Sequence, residues 1–224
     1  MSPTEVLTAP LASARVLCFA PHPDDEVLGP GGTLHLHAAG GGTVRVALAT
    51  DGAAGDPERR FDVGTYPARR RAESRSAATV LGLSEPTFWG LPDSCEVVEA
   101  DKLRLIGLVE REIAGFEPDL VYLPWRCDNN PDHIVLSEVV ERGMAAVGFT
   151  GEARGYEVWA PIPSPDLVVD ITAVLEVKRA ALACFETQFA YGDLGHQVLG
   201  LNAYRSLLLE KSGGYGEAFQ RITI

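Results

Sequence analysis

The chain has 224 residues, 46% of them hydrophobic and 22% charged, a composition that supports a sizeable folded core and excludes a disordered segment. Its 31 acidic against 19 basic side chains give a net charge of −12. That excludes binding to a phosphate backbone and disfavours anionic membrane surfaces, because both need clustered Lys and Arg. No apolar run approaches the roughly 18 residues of a membrane span. The first ten residues lack the basic and apolar blocks of a secretory signal. Cys18, Cys95, Cys127 and Cys184 form no CxxC pair, so free thiols and a cytoplasmic setting are expected.

Residues 1–13 read as a loose leader. Arg15–Ala20 is a short apolar run, read as a buried strand. It ends in Pro21-His22-Pro23-Asp24-Asp25-Glu26, a polar turn punctuated by proline. A helix is expected over 33–39, stopped by Gly40-Gly41-Gly42, and Thr43–Thr50 is β-branched and apolar like a second strand. Strand, helix and strand make a βαβ unit, which implies a parallel pair and a right-handed crossover. Residues 53–67 are rich in Gly, Pro and charge without a period; a loop of this length after a strand reads as part of a substrate rim. A helix is expected over 68–82 with Ala77, Val80 and Leu81 facing inward, then a short strand at 86–90. An amphipathic helix over 99–114 places Leu103, Ile106, Val109 and Ile113 on one face. A buried strand at 119–124 runs into a second acidic turn, Trp125 to His133, followed by a helix over 134–147. Strands at 156–160 and Leu167–Asp170, and helices over 172–186 and 199–211, complete the pattern. The expected fold is one α/β domain over 1–224: a three-layer, Rossmann-like, mostly parallel sheet with helices on both faces.

In open parallel sheets, ligands bind beyond the C-terminal strand ends. Strand, acidic turn with histidine, and helix occur here twice, which puts both turns on that edge. His22, Asp25 and His133 offer two imidazoles and one carboxylate, a set that holds a divalent metal and leaves a coordination position open. Asp24 is then free to act as general base on a metal-bound water, whose pKa falls toward about 7. Asp128 and Asp132 are expected to orient His133. His196, in a glycine-flanked loop, is a candidate substrate contact. Trp125 and Arg126 suit a sugar pocket, although core packing suits Trp125 equally. His35 and His37 stand two apart on a helix and cannot share a metal. Gly31-Gly32 ahead of a helix is only a weak phosphate cradle, since no nucleotide signature accompanies it.

The stretch PHPDDEVLGPGGTL (21–34) with the later NPDH (130–133) resembles the LmbE-like, or PIG-L, family of N-acetylglucosaminyl deacetylases. The likeness extends to Ala49-Thr50-Asp51-Gly52, Arg70 with Glu73, Leu81-Gly82, Leu91-Pro92-Asp93 and Tyr215 to Phe219, and fades between about 150 and 200. It implies a zinc hydrolase that removes acetyl from an amino sugar. By motif matching, His22, Asp25 and His133 are the zinc ligands, Asp24 the general base, and Arg70 and Asp93 contacts to the sugar. The implied partner is a small N-acetylated sugar or sugar conjugate, and the implied assembly a homo-oligomer. Two positions depart from the family. It often has histidine where Asn130 stands, a position linked to substrate or oxyanion; asparagine donates a hydrogen bond but carries no proton. It often has an acidic residue where Ala53 stands. The same ligand set also suits a non-haem iron enzyme, or a metal- or sugar-binding module without turnover. The alternation of strands and helices speaks for the hydrolase by analogy, and the intact Asp24 speaks for turnover.

Overall fold

A computed structural model of the protein describes residues 4–93, 99–210 and 213–224. In chain order its strands are β1 (Glu5–Leu7), β2 (Arg15–Ala20), β3 (Thr43–Thr50), β4 (Thr87–Leu91), β5 (Leu120–Pro124), β6 (Glu152–Tyr156), β7 (Leu167–Asp170) and β8 (Gly216–Ile222). Its helices are α1 (Asp25–Leu28), α2 (Gly31–Ala39), α3 (Tyr66–Leu81), α4 (Glu99–Phe116), α5 (Pro131–Ala146), α6 (Leu175–Leu182), α7 (Glu186–Phe189) and α8 (Leu194–Arg205). The strands lie in one sheet in the order β1-β7-β8-β6-β5-β2-β3-β4. All neighbours pair parallel except β8, which is antiparallel to both β6 and β7.

Alternation along β2 sorts the core. Leu17 and Phe19 join Val109 and Ile113 of α4 and Leu136, Val139 and Val140 of α5 on one face. Val16, Cys18 and Ala20 join Leu34 and Leu36 of α2 on the other, as a period of two demands. Outside α2, Leu81 of α3, Leu182 of α6 and Leu199 of α8 meet Val27 and Leu28 of α1 in a further apolar cluster.

The expected α/β sheet and its parallel βαβ start are present, but several details differ. Residues 5–7 are no loose leader; they pair with β7 as an edge strand. Leu103 is 60% exposed and Val80 38%, so the buried stripe of α4 runs through Leu105 and that of α3 through Ala78. The strand expected at 156–160 lies at Glu152–Tyr156, which leaves Trp159 in a loop. The helix expected over 172–186 is broken. A 3-10 turn at Thr172–Val174 leads into α6, and a second turn buries Phe185 before α7. There Glu73 accepts from Thr187 N (2.9 Å) and Oγ1 (2.6 Å). The last helix starts at Leu194 rather than 199, because Asp193 caps it by accepting from His196 N at 2.8 Å. It also ends earlier than the expected 211, at Arg205, where a 3-10 turn over Ser206–Leu208 takes over; Lys211 and Cys95 lie outside the described residues.

β8 also fixes the helix behind the first acidic turn. Glu217 accepts from Gly32 N (2.8 Å) and Thr33 N (2.7 Å), placing a carboxylate on the α2 N-terminus. A phosphate at Gly31-Gly32 is therefore disfavoured: the Gly32 and Thr33 N–H groups are taken, and the carboxylate of Glu217 fills the place of an anion. Gly32 is required by this approach, since a Cβ there would lie 2.8 Å from Ile171 Cγ2. Lys178 Nζ donates to Glu217 (2.6 Å) and to the carbonyls of Leu28 (3.0 Å) and Gly29 (3.1 Å), closing the buried group. Cys18, Cys127 and Cys184 are free thiols. No helix among the described residues is long and apolar enough to cross a membrane.

Candidate active site

β2 and β5 are parallel neighbours with Val16 opposite Leu120 and Cys18 opposite Tyr122. The two acidic turns therefore leave the sheet side by side at its C-terminal edge. Asp24 carries φ 142, a backbone region hostile to side chains. It is held there on every side. Its N–H donates to Glu26 Oε2 (2.9 Å), and its carbonyl accepts from Val27 N and Leu28 N (both 2.8 Å). Arg70 Nη2 donates to its carboxylate at 3.1 Å and also to the Pro23 carbonyl. The bend turns Asp24 and Asp25 to different partners.

Asp25 Oδ2 lies 2.9 Å from His22 Nδ1 and 3.1 Å from His133 Nε2, and the two imidazole rings are 5.3 Å apart. One ligand atom from each of His22, Asp25 and His133 falls within 4.8 Å of the other two. His133 is wholly buried, yet neither ring nitrogen has a directed hydrogen bond; its contacts with Asp25 and, at 3.6 Å, Asp128 are close but misaligned. Nitrogen and oxygen crowded together without a bond between them suit a shared cation. The three residues fit a divalent metal.

The supporting carboxylates are arranged differently from expectation. Asp128 does face His133 Nδ1, but Asp132 lies against His22 Nε2 at 3.1 Å, with Asp93 Oδ1 beside it at 3.2 Å. Asp132 thus orients His22, not His133. The reason is the α5 cap: Asn130 Oδ1 accepts from Asp132 N (2.9 Å), so Asp132 opens the helix facing the neighbouring turn. Asp128 folds back to accept from Asn130 N (2.9 Å) and Trp159 N (3.0 Å). Asp93 also accepts from Ala54 N (2.9 Å), tying the 53–55 rim to the site.

The field of these carboxylates is strongly negative. Burial opposes a charge on His133, but Asp25 and Asp128 outweigh it and raise the imidazole to about 9. Burial likewise opposes a charged His22, yet Asp132, Asp25 and Asp93 hold its pKa well above the ordinary value. Burial disfavours charge on Asp25 too, but the two imidazoles prevail and keep it ionised. At Asp24 burial wins over Arg70, lifting the carboxyl to about 6, and burial lifts Glu26 to about 7 against the Ser74 hydrogen bond. Positive charge is drawn to the imidazole side, while burial keeps the Asp24 carboxyl above the ordinary carboxylate range.

A cleft of about 170 Å³ opens over this group, lined by His22, Asp24, Asp25, Arg70, Asp93 and Asn130. Arg70 is buried, and its Nε and Nη1 have no hydrogen-bond partner among the described residues. Gly52 makes room for them: a Cβ there would lie 3.0 Å from Arg70 Nε. His196 is not among the lining residues; it is exposed on α8. Trp125 and Arg126 do not line it either, and Arg126 pairs with Glu141 at 2.9 Å. Sequence reasoning missed Trp159 and Gln188, which do line it. No motif marked either; only the exposed aromatic beside Pro161 was a signal.

The chain was compared with known proteins. The family described as PIG-L, GlcNAc-PI de-N-acetylase, matches residues 17–144, more than half of the chain. A diacetylchitobiose deacetylase from Thermococcus kodakarensis is 28% identical, over 78% of this chain and 70% of its own. A 1D-myo-inositol 2-acetamido-2-deoxy-alpha-D-glucopyranoside deacetylase from Mycobacterium sp. (strain JLS) is 26% identical, over 81% of this chain and 76% of its own. Among solved structures, the N,N'-diacetylchitobiose deacetylase of Pyrococcus horikoshii has the same fold, with a TM-score of 0.78 at 24% identity over 93% of this chain and 84% of its own. With the matched segment spanning both acidic turns and every strand from β3 to β5, the chain belongs to the PIG-L family.

Proposed function

We propose that this enzyme, an N-deacetylase by family, hydrolyses the N-acetyl amide of an amino sugar or sugar conjugate at a divalent cation, with Asp24 as general base. The observation that carries this reading is the meeting of His22, Asp25 and His133 at one carboxylate oxygen, with Asp24 turned away from that contact. His22, Asp25 and His133 would hold the ion, zinc by family resemblance. When bound, it supplies a Lewis acid and brings the pKa of its water toward about 7.

The remaining steps belong to the chain's own side chains. One oxygen of Asp24 is engaged by Arg70, and the other takes the water's proton as the acetyl carbonyl is attacked. The protonated Asp24 then returns it to the leaving amine. Asn130, its Oδ1 fixed by Asp132 N–H, turns its amide donors to the developing oxyanion. The Arg70 and Asp93 side chains, which line the cleft, bind sugar hydroxyls. The deacetylases similar to this chain act on sugars with an acetamido group, which supports the substrate class. The same reading includes a cytoplasmic setting and a homo-oligomer.

The test is acetate release from N-acetylglucosamine, diacetylchitobiose and an N-acetylglucosaminyl inositol, after metal analysis, with and without chelator. Release is expected from metal-loaded protein, with loss on chelation and recovery on adding zinc. Asp24→Asn should keep its metal and lose roughly 10²- to 10⁴-fold in kcat. Acetate release that survives complete metal removal, or no release from any of the three, overturns the proposal.

A further inference from the structure

We propose that Trp159 is the platform for a second pyranose ring of the substrate, adjoining the ring that carries the acetamido group. This rests on the deacetylase reading above. The cleft over the metal-binding group holds about 170 Å³. That is small beside the roughly 300–1,000 Å³ of ordinary small-molecule sites. It takes the acetamido group and the sugar that bears it, and a longer substrate continues across the rim.

Among the described residues, Trp159 is the one large apolar side chain lining that cleft; the other linings are polar or very small. It is 51% exposed. Its backbone is nevertheless fixed. The Trp159 backbone N–H donates to Asp128 Oδ2 at 3.0 Å, the carboxylate that faces His133. Beyond it, Ala160 and Ile162 are buried, and Ile162 N donates to Glu157 Oε1 at 2.6 Å. An exposed indole carried on that backbone at the mouth of a polar cleft, and not used to fill the core, is a ready surface for a ligand. The charge around it narrows the choice. Asp24, Asp25 and Asp93 line the cleft, and Arg70 already pairs with Asp24. A neutral pyranose fits: its C–H face meets the electron-rich indole, and its hydroxyls stay in water.

The experiment compares kcat/KM for N-acetylglucosamine, diacetylchitobiose and p-nitrophenyl N-acetylglucosaminide in the metal-loaded wild type, Trp159→Ala and Trp159→Phe. The preference of the two-ring sugar over the single sugar should fall about tenfold in Trp159→Ala, carried by KM, and be largely kept in Trp159→Phe. An unchanged preference overturns the proposal, as does a kcat loss shared equally by all substrates. A penalty confined to the aryl glycoside overturns it too, since the occupant would then be an aryl group. If the wild type turns over none of them, it is the deacetylase reading that fails. The platform is then read by calorimetric titration with the deacetylated two-ring sugar: tenfold weaker binding to Trp159→Ala supports it, and equal binding refutes it.

Discussion

Asn130 shows how much one side chain can settle. Its Oδ1 accepts from the Asp132 N–H, and an amide held by that end must present its Nδ2 donors on the other, where the residue lines the cleft. A histidine at this place changes its charge with pH; an amide does not. Asn130→Ser keeps an oxygen for the helix cap and removes the amide Nδ2 donors, leaving only a shorter hydroxyl. The expected result is a kcat loss of roughly 10²- to 10³-fold with little change in thermal unfolding. Normal turnover in that variant would take Asn130 out of the oxyanion site. At this scale the meeting of His22, Asp25 and His133 was legible, because a tight turn brings positions three apart together and parallel strands bring the two turns together. The partner of Asp132 was not: neighbouring His133 in sequence says nothing of where a side chain at a helix start points. His196 was read as a loop residue because glycines flank it, while Asp193 makes that stretch a helix.

Elements were legible where periodicity was clean. β2, β3 and β7 have the expected bounds, and α3, α4 and α5 begin or end within a turn of them. The misplaced β6 carries the sequence EARGY, whose Arg154 obscures a buried strand until its guanidinium is seen donating to Tyr122 Oη at 3.1 Å. The link between β8 and α2 was not legible at all, because Glu217 reaches Gly32 from the far end of the chain. That link makes a strong prediction. Burial lowers the pKa of Lys178 against the pull of Glu217, so the pair is costly once broken. Glu217→Ala should destabilise by about 3–5 kcal/mol in urea unfolding, since it strands a buried ammonium and uncaps α2. Adding Lys178→Met to Glu217→Ala should recover part of that loss. A single variant as stable as the wild type would show that the buried pair contributes nothing.

Across the whole molecule, acid stability is set partly by a group remote from the cleft. His37 is buried in α2, its Nε2 3.1 Å from Tyr122 Oη; burial and then Arg154 bring its pKa down to about 4. An unfolded histidine titrates near 6.5. Below that value the unfolded chain takes up a proton that the fold refuses, so stability present above it is lost as pH falls toward 4. The His37 contribution to this loss should be about 1–2 kcal/mol between pH 7 and 5. His37→Gln should flatten the pH dependence of urea unfolding by that amount; parallel curves for the two proteins would rule the histidine out. The sheet order carries a consequence for biosynthesis. β8, made last among the strands, lies third from its edge, and β7 and β1 reach β6 only through it. A nascent polypeptide still short of residue 216 therefore displays the open flank of β6, and only the later synthesis of residues 216–222 can close it.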